Sequence, residues 1–445
     1  MATAFSRLAS GRADRPHWAA RVEDAKNALV GTVLRTLGCV PRLQPFDSYA
    51  SRHQVRILAR VMLARPGAKP DHYDKPVQNM HSLAGRGFRN FMGQPEPFHI
   101  IHVDLPQADG STRTVAVQAD RSGIVDTVLD AELEPGIHNV VLRSAHAPNT
   151  AVTTTITVID DRTQRVGVVS DIDDTVVVTI LPRPLLAFWN AFVVQQTTRR
   201  IVSGMPVLYQ QIRRAYNVGE RVGPGAGSVV GTGATSPGGR VPFIYLSTGA
   251  WNVSPVLSRF LFKNGYPVGP MLLTDWGPTN TGFFRSGTDH KKQSLERLAQ
   301  MFPAMQWILI GDDGQHDPDT YSTFVTNRPD RVKAVAIREL SANQRRLADG
   351  GRHPLRAIRA AVRSGIELVP GVGRLQKALR REAPATTLPE SLRKHAQPPG
   401  DGQSPAAQPS ADARHVSSAH GIPWVSSQDG FGLIKRLREH DILPE

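Results

Sequence analysis

The run RVGVVSDIDDTVVVT, residues 165–179, constrains this chain more than any other stretch. Val166, Val168 and Val169 form an apolar, β-branched run that ends in Asp171, Asp173 and Asp174 before the chain turns apolar again. Carboxylates this close repel one another, and beside apolar residues they are costly unless a cation or a shared proton compensates. A single Asp here would read as a loop residue. Three at the end of a strand-like run read as a site. Residues two apart on extended backbone face the same side, so Asp171, Asp173 and Thr175 are expected to converge and Asp174 to point elsewhere.

Downstream, the pattern alternates between strand and helix. RVGVVS, FIYLS, MLLTDW, QWILI and KAVAIREL are short apolar strands, and helical segments intervene, one of them from about residue 289. This alternation predicts a parallel sheet with crossover helices over residues 163–341. In such sheets ligands sit beyond the carboxyl ends of the strands. Asp171, Ser247 and Asp312 each stand where a strand ends, and GDDGQHDPDTY adds Asp313 and Asp317. In DHKKQSLERLAQMF, Lys291 lies four and seven residues before Leu295 and Leu298 and shares their face. Lys292 is turned about 100° away, toward solvent. A lysine on a core-facing stripe needs a partner, and Asp171 or a phosphate group would serve. Two carboxylates two residues apart suit phosphoryl transfer, one attacking phosphorus and the other handling the leaving oxygen. Their density calls for a hard divalent cation with oxygen ligands, Mg²⁺ first.

Charge bears on partners. The formal net charge of +14 favours an anionic partner: nucleic acid, an anionic membrane surface or a phosphorylated substrate. Twelve Lys and Arg face four Asp and Glu between residues 342 and 397. That region lacks interleaved aromatics for base stacking, which argues against nucleic acid. Within 352–369, Leu355, Ile358, Val362, Ile366 and Val369 form one helical stripe. Arg352, Arg356, Arg359 and Arg363 lie beside it. Such a helix suits an anionic interface, or equally an ordinary packed surface. Phe188, Trp189 and Phe192 in 180–194 could line an acyl-chain pocket or simply pack. A single cysteine, Cys39, forbids an intrachain disulfide, and no secretory h-region or membrane-spanning run is visible. A cytoplasmic protein is expected, with peripheral attachment to the inner membrane face as an option.

The remaining organisation is coarser. Residues 1–45 hold an amphipathic helix over 17–38, with Trp18, Val22, Ala25, Leu29, Val33 and Leu37 at helical spacing. Residues 46–162 carry short β-rich runs, HQVRILARVML, FHIIHVDL, RTVAVQA, HNVVLRS and AVTTTITVI, predicting a small sandwich or barrel. The insert 218–240 is glycine-rich and reads as a mobile loop, and 398–420 reads as a disordered linker. Residues 421–445 regain strand and helix and should pack back on the sheet.

In order, DIDDT, the Ser247 strand end, Lys291 and GDDGQHD resemble the four motifs of the haloacid dehalogenase superfamily of phosphotransferases. More narrowly, SDIDDTV, YLSTGAWNVSPVL, DHK and FPAMQWILIGDDGQHDPDTY are similar to the catalytic domain of the actin-patch-protein phosphatidate phosphatases and their bacterial relatives. The likeness covers roughly residues 165–340, with a weaker echo in GIPWVSSQDG. It implies an α/β fold: a haloacid-dehalogenase-like Rossmannoid parallel sheet with flanking helices, preceded by a small sandwich-like β-rich domain. It implies that Asp171 forms an aspartyl-phosphate, that Asp173 protonates the leaving group and then activates water, and that Thr175 helps hold Asp173. Ser247 and Thr248 would bind phosphoryl oxygens, and Lys291 would neutralise the intermediate. Asp171, Asp312 and the backbone carbonyl of Asp173 would bind Mg²⁺, with Asp317 acting through water or orientation. The implied reaction is Mg²⁺-dependent hydrolysis of phosphatidate to diacylglycerol and phosphate. The alternatives are a phosphatase for a soluble metabolite or protein, and a non-enzymatic basic module for anionic membrane or nucleic acid. The glycine-rich insert and the basic region have no counterpart in this likeness.

Overall fold

The computed structural model describes residues 18–66, 94–107, 109–178, 201–217, 239–274, 287–314, 316–341 and 420–445. The expectations for 180–194, for most of 218–240, for 342–397 and for nearly all of 398–420 lie outside the described residues. No helix among the described residues is long and apolar enough to cross a membrane.

After α1 (Trp18–Thr36) come eight strands: β1 (Val40–Pro45), β2 (Ser48–Ala50), β3 (Gln54–Ala64), β4 (Ile100–Pro106), β5 (Thr112–Gln118), β6 (Ile124–Asp130), β7 (Gly136–Ser144) and β8 (Ala147–Val158). They form a sheet in the order β1-β3-β2-β8-β7-β4-β5, with β6 also paired to β3. The pairing is antiparallel apart from β2 with β8. The pattern of apolar runs had shown β3, β4, β5, β7 and β8. It missed β1, with its two prolines, the three-residue β2, and β6.

β3 is buried along nearly its whole length because it serves two cores. Val55, Ile57, Ala59 and Val61 join the core of the β-rich region. On the alternate face Leu58 belongs with Phe46, Tyr49 and Ile124 to the core of the second sheet. Phe46 stacks on Trp251 with ring centroids 4.8 Å apart, and Tyr49 lies 6.1 Å from Phe302. The two sheets therefore share a hydrophobic core.

That second sheet is built from β9 (Val166–Asp171), β10 (Phe243–Ala250), β11 (Met271–Thr274), β12 (Gln306–Asp312), β13 (Val332–Arg338) and β14 (Trp424–Ser427). The order is β11-β10-β9-β12-β13-β14 and every pairing is parallel. Its helices are α2 (Met205–Tyr216), α3 (Ser254–Lys263), α4 (Gly287–Met301), α5 (Asp317–Asn327) and α6 (Gly430–Glu439). The expected parallel α/β architecture and the separate β-rich region are both present. β9 is buried at every position, as a strand covered on both faces should be. Gly167 fits there because a Cβ would lie 2.4 Å from the Trp307 ring. The closing segment returns as expected: β14 pairs with β13, and the Gly430 N–H donates to Ser203 O at 2.8 Å, seating α6 against the start of α2.

α1 sits the opposite way to an ordinary surface helix, whose apolar stripe faces the core. Its attached side is mixed, with Val30 and Leu34 half-buried and Gly31 buried, and polar pairs fasten it. Asp24 pairs with Arg121 at 3.0 Å, buried Asn27 accepts from Gln94 Nε2 at 3.2 Å, and Arg35 donates to Glu96 at 2.8 Å. Leu29, Val33 and Leu37 are 69%, 50% and 73% exposed.

Candidate active site

Register brings the site together. Leu246 of β10 sits beside Asp171, and Ile310 of β12 beside Ser170. The carboxyl ends of three strands are therefore level, and Asp171, Ser247 and Asp312 meet at one edge, all buried. Helical phase delivers the cation: Lys291 is buried with Leu295 and Leu298, whereas Lys292 is exposed. Lys291 Nζ donates to Asp171 Oδ1 at 2.6 Å and to Asp317 Oδ1.

The convergence of Asp171 and Asp173 has a different cause from the one expected. β9 ends at Asp171, and the chain then turns rather than continuing extended. The Asp174 N–H donates to Val177 O at 2.8 Å, and the Val176 N–H to Ile172 O at 2.9 Å. Asp174 takes a left-handed φ of 56°, which non-glycine residues adopt rarely. Asp174 is itself buried. The Ser247 hydroxyl donates to Asp173 Oδ2 at 2.8 Å and accepts from the Gly249 N–H at 2.9 Å. Ser247 thus orients Asp173 in this arrangement. Thr175 is fully buried, and its hydroxyl makes no hydrogen bond to a described residue. Thr248 is half-buried and stands against the start of α4, where a Cβ on Gly287 would lie 2.5 Å from its methyl group.

Asp312 and Asp317 are set by the β12–α5 turn. The Gly314 N–H donates to Asp312 Oδ1 at 2.7 Å, and the Asp312 N–H to Asp317 Oδ2 at 3.4 Å. Gly311 permits this approach, since a Cβ there would lie 2.6 Å from Asp317 Oδ2. Arg338, at the end of β13, was not singled out from the sequence. It is buried, donates to the carbonyl of Asp174 and, through Nε, to Gln428 O at 3.3 Å. It ties the acidic turn to the closing segment. The available signal was an arginine closing the apolar run AVAI of KAVAIREL.

The electrostatics are lopsided. Burial, with neighbouring carboxylates adding to it, pushes Asp171 and Asp312 well above the usual carboxylate range. Burial pulls Lys291 the other way, but Asp171 and Asp317 more than offset it and hold the ammonium charged. The cluster is short of positive charge. Asp171 Oδ2 and Asp312 Oδ2 are buried with no hydrogen-bond partner among the described residues. One oxygen from each of Asp171, Asp312 and Asp317 lies within 4.8 Å of the others. This all-oxygen, acidic donor set fits a hard divalent cation. Asp171 and Asp312 have an oxygen to give, whereas both oxygens of Asp317 are already engaged.

Residues 166–339 match a family model described as phosphatidate phosphatase APP1, catalytic domain. Phosphatidate phosphatase APP1 of Saccharomyces cerevisiae (strain ATCC 204508 / S288c) is 23% identical over 174 residues, which are 39% of this chain and 26% of the yeast protein. The chain thus spans about a quarter of the length of that curated relative. Both findings bear out the family resemblance read from the motifs. Among solved structures, a glycosyl hydrolase family 2 member from Bacteroides cellulosilyticus DSM 14838 is 8% identical, covers 73% of this chain and 41% of its own, and has a TM-score of 0.20. A cycloisomaltooligosaccharide glucanotransferase from Paenibacillus sp. is 11% identical, covers 67% and 44%, and has a TM-score of 0.17. Likeness at that level carries no inference about fold or function.

Proposed function

We propose that this chain, whose residues 166–339 are of the phosphatidate phosphatase APP1 catalytic-domain type, is a Mg²⁺-dependent phosphatase with a haloacid-dehalogenase-like catalytic fold that hydrolyses phosphatidate. The observation that carries the reading is Asp171: one oxygen is neutralised by Lys291, and the other is buried and unpartnered beside Asp312. A carboxylate nucleophile needs no base to activate it once ionised.

The Asp171 carboxylate attacks phosphorus and the P–O bond to the leaving group breaks. Asp173, held by Ser247, gives that alkoxide its proton. The Asp173 carboxylate then takes a proton from water as the water oxygen attacks phosphorus, and the bond from Asp171 to phosphorus breaks to release phosphate. Lys291 keeps its proton throughout and offsets the charge of the intermediate. Asp171 and Asp312 would hold Mg²⁺, with Asp317 setting their orientation, and the bound ion would supply positive charge to the phosphoryl oxygens. The family name and the net charge of +14 support an anionic lipid phosphate as substrate.

Phosphate release from dispersed phosphatidate tests this, with Mg²⁺ or EDTA and with soluble phosphomonoesters in parallel. Release is expected with Mg²⁺, and Asp171→Asn is expected to lower it by about 10³-fold or more. Full activity in Asp171→Asn would remove Asp171 from its role. Release from soluble esters alone would keep the mechanism and discard the lipid.

A further inference from the structure

We propose that the outward face of α1, together with the exposed Phe98, is a docking surface for an anionic lipid bilayer. The inference rests on the lipid-phosphatase reading for its purpose, but the surface stands on its own observations. Three ion pairs and hydrogen bonds, with half-buried Val30 and Leu34 between them, fasten one side of α1 to the β-rich region, so Ala25, Leu29, Val33 and Leu37 are left pointing outward at helical spacing. An amphipathic helix fixed this way round presents an apolar stripe to whatever the protein meets.

Phe98 is a second, independent sign. It is 52% exposed and holds a φ of 56°, a left-handed conformation that bulky residues rarely adopt. Its N–H donates to Asp120 O at 3.1 Å, and its carbonyl accepts from Gln118 Nε2 at 3.0 Å. The backbone is thus held where the ring meets solvent. Phe98 follows closely on Glu96, the anchor of Arg35, and Asp120 directly precedes Arg121, the anchor of Asp24. Gln118 and Asp120 also line a cavity of about 590 Å³ with His290 and Gln293 of α4. The β5–β6 connection that holds Phe98 and anchors α1 therefore also borders the helix that carries Lys291.

Charge selects the occupant. Lys26 is exposed one turn from Leu29, Arg35 stays half-exposed although it is paired with Glu96, and the whole chain carries +14. Apolar side chains flanked by cations suit the headgroup boundary of an anionic bilayer. A second copy is a poorer fit, because a stripe of four side chains on about 18 Å of helix falls short of the roughly 1,200 Å² a stable interface buries.

The test is co-sedimentation of the full chain with vesicles of phosphatidylcholine containing phosphatidylglycerol, against phosphatidylcholine alone. Phosphatidylglycerol is a phosphodiester, so binding is read apart from phosphomonoester turnover. Preferential binding to the anionic vesicles is expected. Leu29→Ser with Val33→Ser should weaken it about tenfold or more, and Phe98→Ser by less. Far-UV circular dichroism and melting temperature should stay unchanged in the helix variant, because the altered side chains are exposed. Undiminished binding by the helix variant, equal binding to both vesicle types, or no binding at all overturns the proposal. So does a solution dimer that the helix variant splits, which would give the face to a second copy. Vesicle binding through α1 without phosphate release from phosphatidate would leave the docking face standing and remove the lipid-phosphatase reading. The reverse result would remove the docking face alone.

Discussion

Lys291 and Arg56 are both buried cations, 3% and 1% exposed, and both are held by carboxylates. Arg56 makes a closed pair. Its Nε and Nη2 donate to the two oxygens of Asp126, each at 2.7 Å, and its Nη1 donates to the Tyr49 hydroxyl at 2.8 Å. Burial would raise the Asp126 carboxyl, but the guanidinium holds it below the usual range. The pair joins β3 to β6 and, through Arg297 at 3.4 Å, reaches α4. Lys291 makes an open cluster instead. Two carboxylates hold it, a third stands within reach, and two buried oxygens are left over. A structural ion pair uses its valences up. A site that must take a cation and a phosphoryl group keeps some in reserve, at a cost in stability.

Removing each cation breaks the comparison most sharply. Lys291→Met strands Asp171 and Asp317 together and should cost about 3–5 kcal/mol in urea unfolding, with turnover abolished. Arg56→Met should cost about 2–3 kcal/mol, because Asp126 is partly exposed and keeps Arg297, and turnover per folded molecule should be unchanged. Equal losses of turnover in the two variants would erase the distinction.

A smaller effect comes from pH. His290 lies half-buried in the cavity beside Arg56, and burial pulls its pKa down to about 4. The unfolded chain takes up that proton near pH 6.5, so this contribution is full above pH 6.5 and is lost as pH falls toward 4. With allowance for its partial exposure the loss is about 1–2 kcal/mol. The raised carboxylates Asp171 and Asp312 act in the opposite sense when no metal is bound, losing stability as pH rises through their folded pKa. The difference in melting temperature between the parent and His290→Asn isolates the histidine. It should widen at high pH and close toward pH 4. A constant difference would contradict the shift.

What the sequence reveals of this arrangement follows the range of each interaction. The acidic motifs are local, so DIDDT and GDDGQHD stand out unaided, and helical phase separates Lys291 from Lys292. The left-handed turn at Asp174 and the reach of Arg338 across to its carbonyl depend on backbone geometry after β9 and on β13, far along the chain. The stripe on α1 is plain from its spacing, but its direction is set by Glu96 and Arg121, dozens of residues away. The shared core is hidden for a similar reason: alternation in β3 shows that both faces are apolar without showing that one belongs to the other sheet.

The most direct test is thermal melting of the full chain, Arg56→Met and Asp312→Asn, each with and without Mg²⁺. An ion that binds only the folded state raises the melting temperature, because it stabilises that state by RT ln(1 + [L]/Kd). The open-cluster account predicts a rise for the parent and for Arg56→Met. It predicts no rise for Asp312→Asn, whose metal-free form should melt higher than the parent because one buried carboxylate is gone. No rise in the parent, or the same rise in Asp312→Asn, would contradict it.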